Sequence, residues 1–481
     1  MAFRVIDDAP IHTFHRKLAA ACSGGPLLDG YLLGIVGIAL TGITAQWHLN
    51  ATTAALVGVA ALVGMFFGGL IFGPLTDRIG RKPMYTLDLL ALIAASLLSV
   101  FVTAAWQLIA LRFVIGVAIA ADYPIATSLL SEWLPRRERG KVFTSVIIIW
   151  YLGTALAYFV GYLITAWLGN AGWRWMLGSS AVLAAIIFLL RLGTPESPRW
   201  LVGAGRTEEA REVIEQALDE AVSPAELDEA ATEDEPRGSV RELFRGVYLR
   251  RMAFVVIFFT CAIIPLFALE TFGPRLLGSF GLGTGTLANL GTAIINLVFA
   301  IGCLPAMWLL ESAGRRKVII WSFGLMVIPL LALGAWAHTP APFAIAFFCL
   351  YALFSGGPGI LEWGYPNELF PTHIRAAAVG MAVALTRFGA AIGTFLVPIA
   401  LTSLGISATM YGGAAITLIG FIACLMWAEE TRSRSLEESG ASGPAAAGRV
   451  PDGAVLARPG HRAAVPATAT WQPSRPRSRR F

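Results

Sequence analysis

Apolar residues along this chain come in long blocks rather than at a helical or strand period. Leu18–Ile43, Thr52–Leu75, Met84–Thr103 and Trp106–Leu130 are the first four. Val142–Trp167, Trp175–Leu192, Met252–Phe272, Thr284–Leu310, Val318–Trp336, Pro342–Tyr365, Ala376–Thr402 and Ala408–Ala428 follow. A helix of about 20 apolar residues crosses roughly 30 Å of hydrocarbon, so the blocks predict an all-α membrane protein with twelve transmembrane helices. Pro and Gly fall inside many blocks, which lipid tolerates because neighbouring helices satisfy the freed backbone groups.

Composition agrees. Only 14% of the 481 residues are charged, against about 25% in soluble domains. The five cysteines, Cys22, Cys261, Cys303, Cys349 and Cys424, lie inside apolar blocks with no metal-type spacing. They read as small buried residues, and neither metal nor cofactor is expected. Residues 1–17 lack the apolar core and cleavage site of a signal peptide and are expected to form a cytoplasmic N-terminus.

The net charge of +5 has a membrane explanation and implies no nucleic-acid partner. Alternate loops carry Arg78, Arg81 and Lys82; Arg136, Arg137, Arg139 and Lys141; Arg315, Arg316 and Lys317; and Arg375. The opposite set is nearly empty of Lys and Arg. The positive-inside rule puts both termini in the cytoplasm of a multi-pass plasma (inner) membrane protein. Residues 193–250 read as an acidic cytoplasmic linker between six-helix bundles at 18–192 and 251–428, with a surface helix over Thr207–Glu220. Residues 429–481, rich in Ala, Pro, Gly and Arg, are expected to be a disordered cytoplasmic tail.

A repeat supports the division. Gly73-Pro-Leu-Thr-Asp77-Arg78-Ile-Gly80-Arg81-Lys82 follows the second block, and Trp308-Leu-Leu-Glu311-Ser-Ala-Gly314-Arg315-Arg316-Lys317 follows the eighth. Glu132-x-x-Pro135-x-x-x-Arg139 follows the fourth, and Glu368-x-x-Pro371-x-x-x-Arg375 the tenth. Acids and bases gathered at helix ends lock neighbouring helices together. Asp77 with Arg139, and Glu311 with Arg375, are therefore expected to pair as latches, with Arg78, Gly80, Arg81, Glu132, Arg315 and Glu368 completing a cytoplasmic gate.

These motifs resemble the major facilitator superfamily. Pro195-Glu-Ser-Pro-Arg-Trp-Leu201 and Tyr365-Pro-Asn-Glu-Leu-Phe-Pro371 are similar to its sugar-porter-like branch. The resemblance implies two six-helix bundles rocking around a central site. Sugar porters carry a Gln-Gln pair in the seventh helix; this chain reads Phe259-Thr-Cys-Ala-Ile-Ile-Pro-Leu-Phe-Ala-Leu-Glu270 there.

Charges inside the blocks are the candidate chemistry, because each costs roughly 2.5–3.5 kcal/mol at mid-membrane on insertion scales. Among them are Asp29, Asp88, Arg112, Asp122, Glu270, Glu362 and Arg387. Arginine is a fixed cation, and a buried carboxylate beside one exchanges a proton when its surroundings change. Asp29 is expected to face Arg112 as a proton-coupling device. Arg112-Phe-Val-Ile-Gly116 with Ala121-Asp122-Tyr123-Pro124 is similar to phosphate:proton and related metabolite symporters. That resemblance implies a proton route through Asp29, Asp88 and Arg112, and a substrate site at Asp122 and Arg387. Tyr123, Trp150, Tyr151, Glu270 and Glu362 are further substrate-site candidates, and Tyr158 and Trp363 further aromatics for the cavity wall.

No His-Glu-x-x-His run, Ser/Lys dyad or Walker loop is present, so an enzyme is not expected. The expected activity is secondary active transport of a small polar or anionic metabolite by alternating access, with proton symport, by a monomer in the lipid bilayer. A proton-independent facilitator of sugars or polyols, and a non-transporting sensor on the same fold, stay open as alternatives.

Overall fold

The computed structural model describes residues 6, 9–135, 139–218, 227, 240–283, 285–336 and 338–432. Among them every regular element is helical. The first half contains α1 (Thr13–Trp47), α2 (Ala51–Ile79), α3 (Arg81–Leu98), α4 (Ala105–Trp133), α5 (Arg139–Leu168) and α6 (Trp173–Arg191). Two short helices follow, α7 (Pro198–Gly203) and α8 (Thr207–Leu218). The second half contains α9 (Gly246–Leu277), α10 (Thr286–Ser312), α11 (Arg315–Ala335), α12 (Ala341–Leu369), α13 (Thr372–Ser403) and α14 (Gly405–Trp427). Ten stretches are long and apolar enough to cross a membrane. One of these stretches, Ser145–Arg191, runs over α6 and all but the first turns of α5. The helix α3 is not among them because Arg81, Lys82 and Asp88 lie within its 18 residues.

Large apolar side chains cover the outside: Phe67, Leu70, Leu87, Trp167, Leu189, Leu304, Trp308, Phe388 and Leu418 are all exposed. Such a surface would aggregate in water and is what lipid-facing helices require. Inside, close backbone approach replaces the hydrophobic drive that lipid removes. A methyl group at Gly116 of α4 would collide with the Ala61 carbonyl of α2, and one at Gly356 of α12 with the Gly302 backbone of α10. The two halves thus repeat one crossing. We expect Gly116→Ala to lower stability by about 1–3 kcal/mol, the usual range for overpacking. An unchanged melting temperature of the purified protein would show that α2 and α4 separate freely.

Between halves, α2 packs on α13, α5 on α10 and α1 on α9. Trp150, Tyr151, Phe267, Phe299 and Tyr351 belong to one cluster spanning this seam. The segment after α6 is folded rather than extended. Leu201 and Val202 of α7 and Ala210, Ile214 and Leu218 of α8 are buried in one cluster with Tyr85, Leu130 and Trp133. The helix expected over Thr207–Glu220 is seen as far as Leu218; its last two residues, like most of 429–481, lie outside the described residues.

Candidate functional site

A buried ion-pair cluster inside the first half is built around a residue that the sequence did not single out. Arg191, in the last turn of α6, places Nη1 2.7 Å from Asp122 Oδ1 and 3.7 Å from Asp88 Oδ2. Its Nη2 donates to Asp122 Oδ2 at 3.0 Å, and its Nε to the Ala21 carbonyl of α1 at 3.4 Å. The guanidinium lies 3.6 Å over the Tyr85 ring. Gly25 of α1 allows the approach, since a methyl there would overlap the Asp122 carboxylate. Two acids expected to have separate roles, Asp88 and Asp122, therefore meet on one buried cation. The signal for Arg191 was an arginine one residue short of the end of an apolar block, a place also filled by ordinary boundary charges.

Asp29 and Arg112 are both buried, but no ion pair joins them among the described residues. Arg112 Nη1 donates to the Leu32 carbonyl at 2.7 Å, closing on the backbone of α1 one turn from Asp29. Neither carboxylate oxygen of Asp29 has a hydrogen-bond partner. The charges acting on it are Asp122 and Arg191 from the same half and Arg387 from the other. Asp29 therefore sits between the Arg191 cluster and the second half.

At the seam, Ile147, Trp150, Tyr151, Ile263, Leu266, Phe267, Gly359, Glu362 and Arg387 line a cavity of about 30 Å³. A water needs roughly 10–15 Å³ by this measure, so the space suits water rather than a metabolite. Arg387 lies 5.3 Å over the Phe267 ring. Trp150 meets Tyr151 edge-on at 5.2 Å, and Tyr151 stacks on Phe299 at 5.2 Å. Glu270 is buried beside this space with both carboxylate oxygens unpartnered. Four expected site residues, Trp150, Tyr151, Glu362 and Arg387, are thus brought together, and Glu270 stands within the reach of Arg387's charge.

The arginine-rich end repeats one device in each half. Gly80 and Gly314 adopt φ of +105° and +93°, a region that favours glycine, and turn the chain sharply into α3 and α11. Glu196 then accepts the Arg81 and Lys82 amides at 3.1 and 3.0 Å, while Glu430 accepts those of Arg315 and Arg316 at 3.0 and 3.2 Å. A carboxylate at a helix N-terminus satisfies orphan donors and complements the dipole. Arg81 reaches Glu132 at 3.4 Å, and Arg315 reaches Glu368 at 3.0 Å. Ser197 donates to Glu132 and Thr431 to Glu368. Burial pushes the Glu132 carboxyl up, with Arg81 and Ser197 pulling it back. The described contacts thus link Arg to Glu across the loops. Arg375 Nε donates to the Phe370 carbonyl at 3.1 Å, and Glu311 is exposed at the end of α10. The side chains of Asp77, Arg78, Tyr123, Arg139 and Trp363 lie outside the described residues.

At the opposite end the halves touch through polar groups. The Tyr158 hydroxyl donates to the Glu270 carbonyl, Arg275 to the Thr44 hydroxyl, and Asn289 Nδ2 to Thr165 Oγ1 at 3.4 Å.

Two six-helix halves with an apolar exterior and a charged seam between them define the class of a membrane carrier. A family model described as "Sugar (and other) transporter" matches residues 17–441, and the chain belongs to that family. "Putative metabolite transport protein YaaU" of Escherichia coli (strain K12) is 40% identical over 439 residues, covering 91% of this chain and 97% of the relative. "Inner membrane metabolite transport protein YgcS" of the same organism is 35% identical, covering 92% and 97%. Among solved structures, the major facilitator superfamily proton:xylose symporter XylE bound to 6-bromo-6-deoxy-D-glucose matches with a TM-score of 0.71 at 20% identity, over 89% of this chain and 98% of that one. The expectation of a major facilitator fold holds.

Proposed function

We propose that this transporter carries a small polar or anionic metabolite together with a proton, by alternating access, across the plasma (inner) membrane with both termini in the cytoplasm. The observation that carries the reading is Asp29. It is buried in mid-helix, both its oxygens lack partners, and charged groups from both halves act on it. An acid so placed is expensive to retain unless it changes charge during the cycle. The fold neighbour named a proton:xylose symporter is compatible with such coupling, and the relative named an inner membrane protein with the location. We propose further that it works as a monomer.

The test is reconstitution in liposomes with sugars, polyols, organic acids and phosphate, with and without an imposed pH gradient. Symport predicts uptake that follows the gradient and alkalinises the side from which the solute is taken. Uptake indifferent to the gradient would support a proton-independent facilitator, and no uptake of any class would support a sensor.

A further inference from the structure

Arg387 is a buried cation with no matched anion. It projects from α13 into the seam cavity, its Nε has no hydrogen-bond partner, and no carboxylate lies within ion-pair distance among the described residues. Three acids on three other helices nevertheless feel its charge: Asp29 of α1, Glu270 of α9 and Glu362 of α12. The remaining titratable groups around them, among the described residues, are Asp122 of α4 and Arg191 of α6 toward Asp29, Tyr158 of α5 toward Glu270, and Tyr151 of α5, Cys303 of α10 and Tyr351 of α12. Among the described residues no Asn or Gln side chain lines this cavity, although such amides suit neutral polyhydroxy solutes by offering donor and acceptor together.

Resting on the symport reading, we propose that the carried solute is a small hydroxy-carboxylate whose carboxylate binds Arg387 in competition with Glu362 and Glu270. A guanidinium recognises a carboxylate bidentately. With the surrounding acids ionised, a further anion would meet net negative charge in a poorly hydrated space. Arg387 is left to the solute only when all three are neutral, so with two of them resting protonated the proton on the third completes the condition. Proton and solute then bind together because they remove the same conflict, which is the condition for symport. The balance is simple: an O–H bond forms on one of the acids around Arg387, Asp29, Glu270 or Glu362, with a proton from water on the open side, and breaks on the other side when the solute leaves. One arginine offsets one negative charge, so a dianion such as phosphate fits less well. Glu362 and the Tyr151 hydroxyl supply partners for hydroxyl groups, and Trp150 and Phe267 an apolar face.

The experiment is binding to the purified protein, by tryptophan fluorescence and calorimetry, from mildly acidic to mildly basic pH. The probes are D-gluconate, D-xylonate and L-lactate, set against D-xylose and inorganic phosphate. A carboxylate is expected to bind about tenfold more tightly for each unit of falling pH while one proton is taken up. Arg387→Gln removes that binding, Arg387→Lys retains part of it, and Glu362→Gln flattens the pH dependence while keeping affinity. Equal binding of D-xylose to wild type and Arg387→Gln, tighter binding of phosphate, or no response to any carboxylate overturns the solute class. Gradient-driven uptake of D-xylose overturns it too, yet leaves the symport reading standing. Arg387-dependent carboxylate binding that ignores pH overturns the competition and speaks against symport, while supporting the solute class.

Discussion

Asp29→Asn is expected to abolish accumulation driven by a pH gradient while leaving solute counterflow within a few-fold of wild type. Asparagine keeps the shape of the side chain in the packed middle of α1, where Asp29 is enclosed on all sides. It removes the ability to exchange a proton. Counterflow needs only that the loaded carrier rock between its two faces, so a carrier locked in a neutral state performs it. Net uptake against a gradient requires the proton to come and go, and one proton per solute supports about tenfold accumulation per unit of pH difference. The expected ratio in the variant is therefore about one, read as internal over external solute in liposomes. Accumulation that persists in Asp29→Asn moves the proton site to another acid, with Glu362 and Glu270 the next to be replaced.

The second large effect is on folding. Arg191→Gln leaves Asp122 and Asp88 buried beside each other without their cation, and removes the stacking on Tyr85 and the tie to the Ala21 carbonyl. Breaking a buried ion pair from one side costs about 3–5 kcal/mol because a charge is left uncompensated. We expect the variant to lose most of its folded yield in detergent, with a clearly lower melting temperature. Asp88→Asn added to Arg191→Gln should recover part of the loss, since one stranded charge is then gone. A single variant as stable as wild type would mean that the two acids are not held by Arg191 in the membrane.

How far such features can be read from the residues depends on what kind of signal records them. The spanning helices announce themselves because lipid demands apolar residues on every face. Even the sixth block, Trp175–Leu192, lies within two residues of α6 at each end. The same uniformity hides partners, since a helix apolar all round carries no stripe to say which face meets which neighbour. Asp29 and Arg112 are rare enough to be noticed, but their mutual distance is tertiary information; Arg112 instead closes on the Leu32 carbonyl. Arg81 and Lys82 read as loop charges yet begin α3, because Glu196, more than a hundred residues away in the chain, caps their amides. Arg191 was lost among boundary charges for a similar reason. Trp150, Tyr151, Glu362 and Arg387 were chosen separately from the sequence, and only the packing of α5 on α10 and α13 on α2 shows that they share one space.

That space has a consequence for the cell as well as for the solute. A pore wide enough for a metabolite, left standing between cycles, would fill with water, and a file of waters conducts protons. At about 30 Å³ the seam cavity holds only a couple of water molecules. At one end it is shut off by the Tyr158 and Arg275 contacts with the facing half. At that end the seam offers a proton no continuous file of waters. On the alternating-access reading proposed above, many copies stand in an energised membrane without draining it, because room for the solute is made only when the halves move.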